Sequence, residues 1–74
     1  MSEFNVTAEL TGRVWKIERS VGTEVNADDP IMILESMKME IPVITDRHGT
    51  LTKLHVSEGD EVVEGQLLAT IECK

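Results

Sequence analysis

The chain has 74 residues, the length of one small domain, and carries one Phe, one Trp and no Tyr, so its thin core must be aliphatic. Its formal charge of −7, from 7 basic against 14 acidic side chains, opposes a phosphate backbone and excludes nucleic acid as an expected partner. No apolar run approaches the roughly 18 residues of a membrane helix, no basic-then-apolar leader opens the chain, and the single Cys73 leaves no internal disulfide and no cysteine cluster for zinc. The expected location is cytoplasmic.

The predicted elements, taken in order, are all strands. Phe4–Leu10 reads as an edge strand. Arg13–Arg19 alternates, with Trp15 and Ile17 on one face and Lys16 and Glu18 on the other. Ser20-Val21-Gly22-Thr23 is turn chemistry in which Gly22 supplies a positive φ. Glu24-Val25 is a very short strand, Asn26 to Pro30 turns, and Ile31–Ser36 is a long strand. Met39–Thr45 follows, with Pro42 placed where its missing N–H faces out of the ladder. Thr50–Val56, Glu61-Val62-Val63 and Leu67–Glu72 then repeat the earlier pattern, separated by turns at Gly59 and Gly65. No stretch of ten residues shows a helical period.

An internal repeat organises these elements. At an offset of 37 residues, 12–35 overlays 49–72 without a gap, and Gly12/Gly49, Lys16/Lys53, Ser20/Ser57, Gly22/Gly59, Glu24/Glu61, Val25/Val62 and Glu35/Glu72 are identical pairs. Two copies are too few for a solenoid. The expectation is a single all-β domain over 1–74, a flattened barrel or sandwich of two small antiparallel sheets related by a pseudo-twofold axis. Met1 opens the chain and nothing after Glu72 looks like a cut linker, so a complete small protein is expected.

Between the copies lies Glu35-Ser36-Met37-Lys38-Met39-Glu40. Apolar runs on both sides read as two strands joined by a two-residue turn at Met37 and Lys38, although the usual Asn-Gly signal is absent. This puts the primary amine of Lys38 at a hairpin tip, at one end of the domain, with both termini at the other. Lysine is a common target of acyl modification. An ordinary exposed turn lysine is the plainer reading, and its place at the midpoint of the repeat argues against that. Methionine is often core filler, but burial is hard in a turn, so Met37 reads as a recognition residue, while Met39 reads as mixed packing and recognition. Glu35 and Glu40 fit a solvated hairpin end as well as a contact, and small Ser36 lets an enzyme approach. His48 lies in a polar turn and His55 on a strand, without a nucleophile at a recognisable spacing, and no metal site is expected.

The run Met37-Lys38-Met39 resembles the attachment motif of biotinyl domains, with Ser36 in place of the usual alanine. Glu58-Gly59-Asp60, Val62 and Gly65-Gln66 follow the family's turn pattern. So do Val21-Gly22-Thr23, Val25 and Asp28-Asp29, where Asp28 stands at a usual glycine. The resemblance covers nearly the whole chain, without the "thumb" loop of some bacterial carriers. It implies a lipoyl-like fold and a non-catalytic carrier, such as the biotin carboxyl carrier of an acetyl-CoA or other carboxylase. A biotin protein ligase would attach biotin to Lys38, with Glu35, Ser36, Met37, Met39 and Glu40 recognised around it. The arm would carry a carboxyl group from a biotin carboxylase to a carboxyltransferase. The alternatives are a lipoyl carrier, loaded with lipoate by a lipoate ligase for an oxo-acid dehydrogenase or glycine cleavage system, and an unmodified protein-interaction module.

Overall fold

Two four-stranded antiparallel sheets face each other in the computed structural model, which describes residues 2–73. Lys74 lies outside the described residues. The strands are β1 (Ser2–Thr7), β2 (Gly12–Ile17), β3 (Glu24–Val25), β4 (Met32–Ser36), β5 (Met39–Val43), β6 (Gly49–Leu54), β7 (Glu61–Val62) and β8 (Leu67–Cys73). One sheet has the order β1-β8-β6-β3 and the other β5-β4-β2-β7. Advancing or retreating 37 residues turns each strand of the first sheet into the corresponding strand of the second. The all-β sandwich with internal twofold symmetry is therefore the observed fold.

Backbone hydrogen bonds obey the same symmetry. The Gly22 N–H donates to the Leu51 carbonyl at 2.7 Å, and the Gly59 N–H donates to Val14 at 2.7 Å. The Glu18 N–H reaches Ile31 at 2.8 Å and the His55 N–H reaches Leu68 at 2.9 Å. Gly22 has φ 95° and Gly59 φ 92°, as turns of this handedness require. Asp28 has φ 71°, beside φ 86° at its counterpart Gly65, so aspartate does tolerate the family's glycine position.

The core is aliphatic. Val14, Val25, Ile31, Met32, Leu34, Leu51, Val62, Leu68 and Ile71 are fully buried between the sheets. Each contributes about 1.5 to 3 kcal/mol of transfer free energy. Phe4 only packs against this cluster.

The structure corrects the faces expected for β2. The ladder between β2 and β4 slips between Val14 and Lys16, so Trp15 is an extra residue in a bulge. Val14 points into the core and Trp15, 47% exposed, points out, while Ile17 returns to the inner side. A bulge breaks period-2 alternation, which is why alternation wrongly set Trp15 beside Ile17. The repeat has its counterpart bulge at Thr52, between Leu51 and Lys53. Several strands also stop earlier than expected. β2 ends at Ile17 because the N–H groups of Glu18 and Arg19 both turn to the Ile31 carbonyl. β1 ends at Thr7 because Ala8 exchanges backbone bonds with Gln66 and Gly65. His55 accordingly lies one residue beyond β6, not on it.

The molecule measures 37 × 18 × 18 Å. β1 and β5 converge at their C-terminal ends, where Thr7 and Ile44 line one groove. At about 3.3 Å per residue the two strands, laid end to end, account for the long axis. Their first residues, Ser2 and Met39, thus mark opposite ends. The pair Ser36–Met39 closes one end, and its symmetry mate, Ser2–Cys73, closes the other.

Candidate functional site at the hairpin tip

β4 and β5 pair in unbroken register from Met32–Val43 to Ser36–Met39, leaving Met37 and Lys38 as a two-residue loop. Both have positive φ, 52° at Met37 and 64° at Lys38. Two successive left-handed residues define the primed turn whose twist matches a β-hairpin. Neither is glycine or asparagine, so each holds about 1 to 2 kcal/mol of backbone strain. The hairpin supplies the compensation through its ladder and through Leu34 in the core.

Those side chains stand clear of the body. Met37 is 92% exposed and Met39 63%. Lys38 is exposed, and among the described residues no carboxylate or carbonyl holds its Nζ. Ser36 is half-buried at the neck of the turn. Glu35 and Glu40 face each other directly on the exposed side of the hairpin. The structure thus gathers all six residues singled out by sequence. An isolated, solvated amine on a rigid two-strand support can accept an acyl group and present it without disturbing the core.

Two neighbours were missed. Arg13 pairs with Glu35, and Glu61 pairs with Arg13, so Glu40, Glu35, Arg13 and Glu61 form one cross-strand row beneath the tip. Opposing carboxylates such as Glu35 and Glu40 repel, and Arg13 relieves part of this from one side. Only the strand register reveals the row. Gly12 is a third contributor. A Cβ there would lie 2.6 Å from the Glu35 carbonyl oxygen, so glycine lets β2 pass close beneath the hairpin base. Its identity with Gly49 in the repeat was the available signal.

His55 belongs elsewhere. Its Nε2 lies 3.0 Å from the Thr70 hydroxyl on the outer face of the other sheet. His48 is exposed in the loop before β6.

If the strain at the tip is retained for the amine, Lys38→Gly should stabilise the domain by about 1 kcal/mol while removing the nucleophile. A urea denaturation midpoint that falls, rather than rises, would show that Lys38 is not strained in solution.

The site is thus an open hairpin tip with one exposed amine, on two pseudo-symmetric sheets. Residues 3–71 match the biotin/lipoyl family model, described as "Biotin-requiring enzyme". The chain is 40% identical over 65 residues to the biotin/lipoyl attachment protein of Bacillus subtilis, covering 88% of this chain and 89% of that one. It is 40% identical over 67 residues to the biotinylated protein TB7.3 homolog of Mycobacterium leprae, covering 90% and 94%. It is 41% identical over 64 residues to the biotin carboxyl carrier protein of Streptococcus mutans, covering 86% of this chain and 49% of the relative. The chain belongs to the biotin/lipoyl attachment family.

Among solved structures, Kluyveromyces lactis urea carboxylase superposes on 97% of the chain with a TM-score of 0.91 and 36% identity, over 6% of its own length. The lipoyl domain of the Azotobacter vinelandii 2-oxoglutarate dehydrogenase complex superposes on 90% of this chain and 95% of that one with a TM-score of 0.74. At 23% identity that likeness shows the fold alone.

Proposed function

We propose that this chain is a biotin carboxyl carrier in which a biotin protein ligase joins biotin to the Lys38 Nζ as an amide. The observation that carries the proposal is the free amine at a strained, primed turn flanked by exposed Met37 and Met39. The relatives named for biotin support biotin as the group attached, and lipoate is not favoured. Bound there, biotin would supply a ring that takes up and gives up a carboxyl group. The protein's own residues make no bond in that transfer. The turn fixes the direction of the Lys38 stem, the β4–β5 ladder holds the turn, and the tether raises the local concentration of its load at each enzyme visited. The partners proposed are the ligase, a biotin carboxylase and a carboxyltransferase.

The methionines should set which ligase accepts the tip. Met37 and Met39 adjoin Lys38 in the chain and are both exposed, so a ligase that brings this amine to an activated acyl group is expected to touch them. Specificity is a difference of two affinities, so loss of these contacts costs the preferred ligase more than its competitor. The double variant Met37→Asp/Met39→Ala is expected to lower biotin attachment while lipoate attachment holds or rises, with the melting temperature little changed. The ratio of initial rates with purified biotin and lipoate ligases measures this. An equal ratio for wild type and variant means the ligases read other features.

A further inference from the structure

The two outer sheet faces occupy equivalent places in the same fold, and they differ in chemistry. On the β1-β8-β6-β3 sheet the cross-strand row is Lys53, Thr70 and Asn5. It is closed by its own hydrogen bonds. The Thr70 hydroxyl donates to Asn5 Oδ1 at 3.2 Å, His55 Nε2 meets the same hydroxyl at 3.0 Å, and the Thr52 hydroxyl donates to the Thr70 carbonyl at 3.1 Å. On the sheet that carries Lys38, the equivalent row is Lys16, Ile33 and Pro42, with Trp15 in the place of Thr52. Here the polar network is replaced by an aliphatic side chain, a proline and an indole. Trp15 is 47% exposed and Pro42 is exposed.

We infer that this Trp15–Ile33–Pro42 face docks the biotin carboxylase that receives the biotinylated arm, through a partner surface with an apolar side chain bordered by basic groups. The inference rests on the carrier reading above. Ile33 and Pro42 belong to the hairpin that ends in Lys38, about 15 Å from it along the strands. The face is therefore continuous with the tip, and the intervening row, in which Glu35, Glu40 and Glu61 outnumber Arg13, favours a basic rim. A second copy of this chain is the wrong occupant, because two surfaces from molecules of charge −7 repel. The ligase is also a poorer occupant. In attachment the reacting atom is the lysine amine, so the turn itself must enter the ligase. In carboxyl transfer the reacting atom is at the far end of the arm, so the body can lie flank-on beside the entrance. Tryptophan is the residue most enriched where such contacts hold energy.

The test uses the biotinylated chain as the varied substrate of the biotin carboxylase from the same cells. Trp15→Ser is expected to raise KM about tenfold or more with kcat unchanged, the loss typical of an aromatic interface anchor. Its rate of biotinylation should equal that of wild type, and Val21→Ser, at an exposed apolar site away from this face, should change neither rate. Because the chain has one Trp, 5-fluorotryptophan gives one ¹⁹F resonance in the unaltered sequence. It should shift on adding the carboxylase and stay in place on adding the ligase, which keeps the test independent of how Trp15→Ser folds. An unchanged KM with a static ¹⁹F line overturns the inference. So does an equal loss with ligase and carboxylase, or self-association of wild type that Trp15→Ser abolishes. Failure of the wild-type chain to be biotinylated at all would overturn the carrier reading first, and is seen before any Trp15 comparison.

Discussion

Gly49→Ala is expected to destabilise the domain by about 3 kcal/mol, the largest effect of a glycine-to-alanine change in this chain. The new Cβ would run into the Glu72 carbonyl oxygen and lie 2.7 Å from Ile71 Cγ2 and 3.0 Å from the Glu72 carbonyl carbon. Two of these atoms are backbone of β8, which is paired on one side with β1 and on the other with β6. β8 cannot retreat without opening a ladder. At roughly 0.05 to 0.15 kcal/mol per residue, a domain of this length has little stability in reserve. Gly12→Ala, the symmetry mate, should cost less. Its Cβ meets the Glu35 oxygen at 2.6 Å, but its next neighbour is Leu10 Cδ1 at 3.3 Å, a movable side-chain end. Gly22→Ala meets nothing within 4 Å and carries only the strain of its φ of 95°, about 1 kcal/mol. Urea denaturation of the three variants should rank them in that order. Equal midpoints for Gly49→Ala and Gly22→Ala would mean that the close approach at Glu72 does not exist in solution.

The second large effect is functional. Lys38→Arg is expected to abolish biotin attachment and leave the fold intact. The guanidinium keeps the charge and the length of the stem but stays protonated and is no usable nucleophile. The tip is solvated, so the larger head group meets no neighbour. Amide proton exchange or the denaturation midpoint should match wild type within about 0.5 kcal/mol, the range of exposed substitutions. Attachment to the variant at a wild-type rate, read by mass, would move the site to another amine. Loss of folding would mean that Lys38 is not at an exposed tip.

Much of the architecture is legible in the repeat. Three of the seven pairs identical at an offset of 37 sit at points where geometry is least forgiving. Gly22 and Gly59 hold positive φ, Gly12 and Gly49 pass under the carbonyls of Glu35 and Glu72, and Val25 and Val62 fill the core. Two apolar runs around Met37 and Lys38 were enough to place a hairpin there, even without a glycine. What could not be read was local slip. The bulge at Trp15 adds one residue to β2 and reverses which side chains face inward, and no period-2 pattern reports where a ladder slips. The row Glu40, Glu35, Arg13 and Glu61 depends on which strands adjoin and in what register. That is decided by sheet order and not by any neighbouring residues in the chain. Strand ends were misplaced for a similar reason, since β1 and β2 stop where backbone bonds to distant turns capture Ala8 and Glu18.

The most direct measurement of the central claim is a mass spectrum of this protein purified from its own cells, followed by peptide mapping. The account predicts one biotin adduct, on the peptide that contains Lys38, with Lys16, Lys53 and Lys74 unmodified. A lipoyl adduct, a biotin on any other lysine, or a chain left unmodified in cells with an active biotin ligase would contradict it.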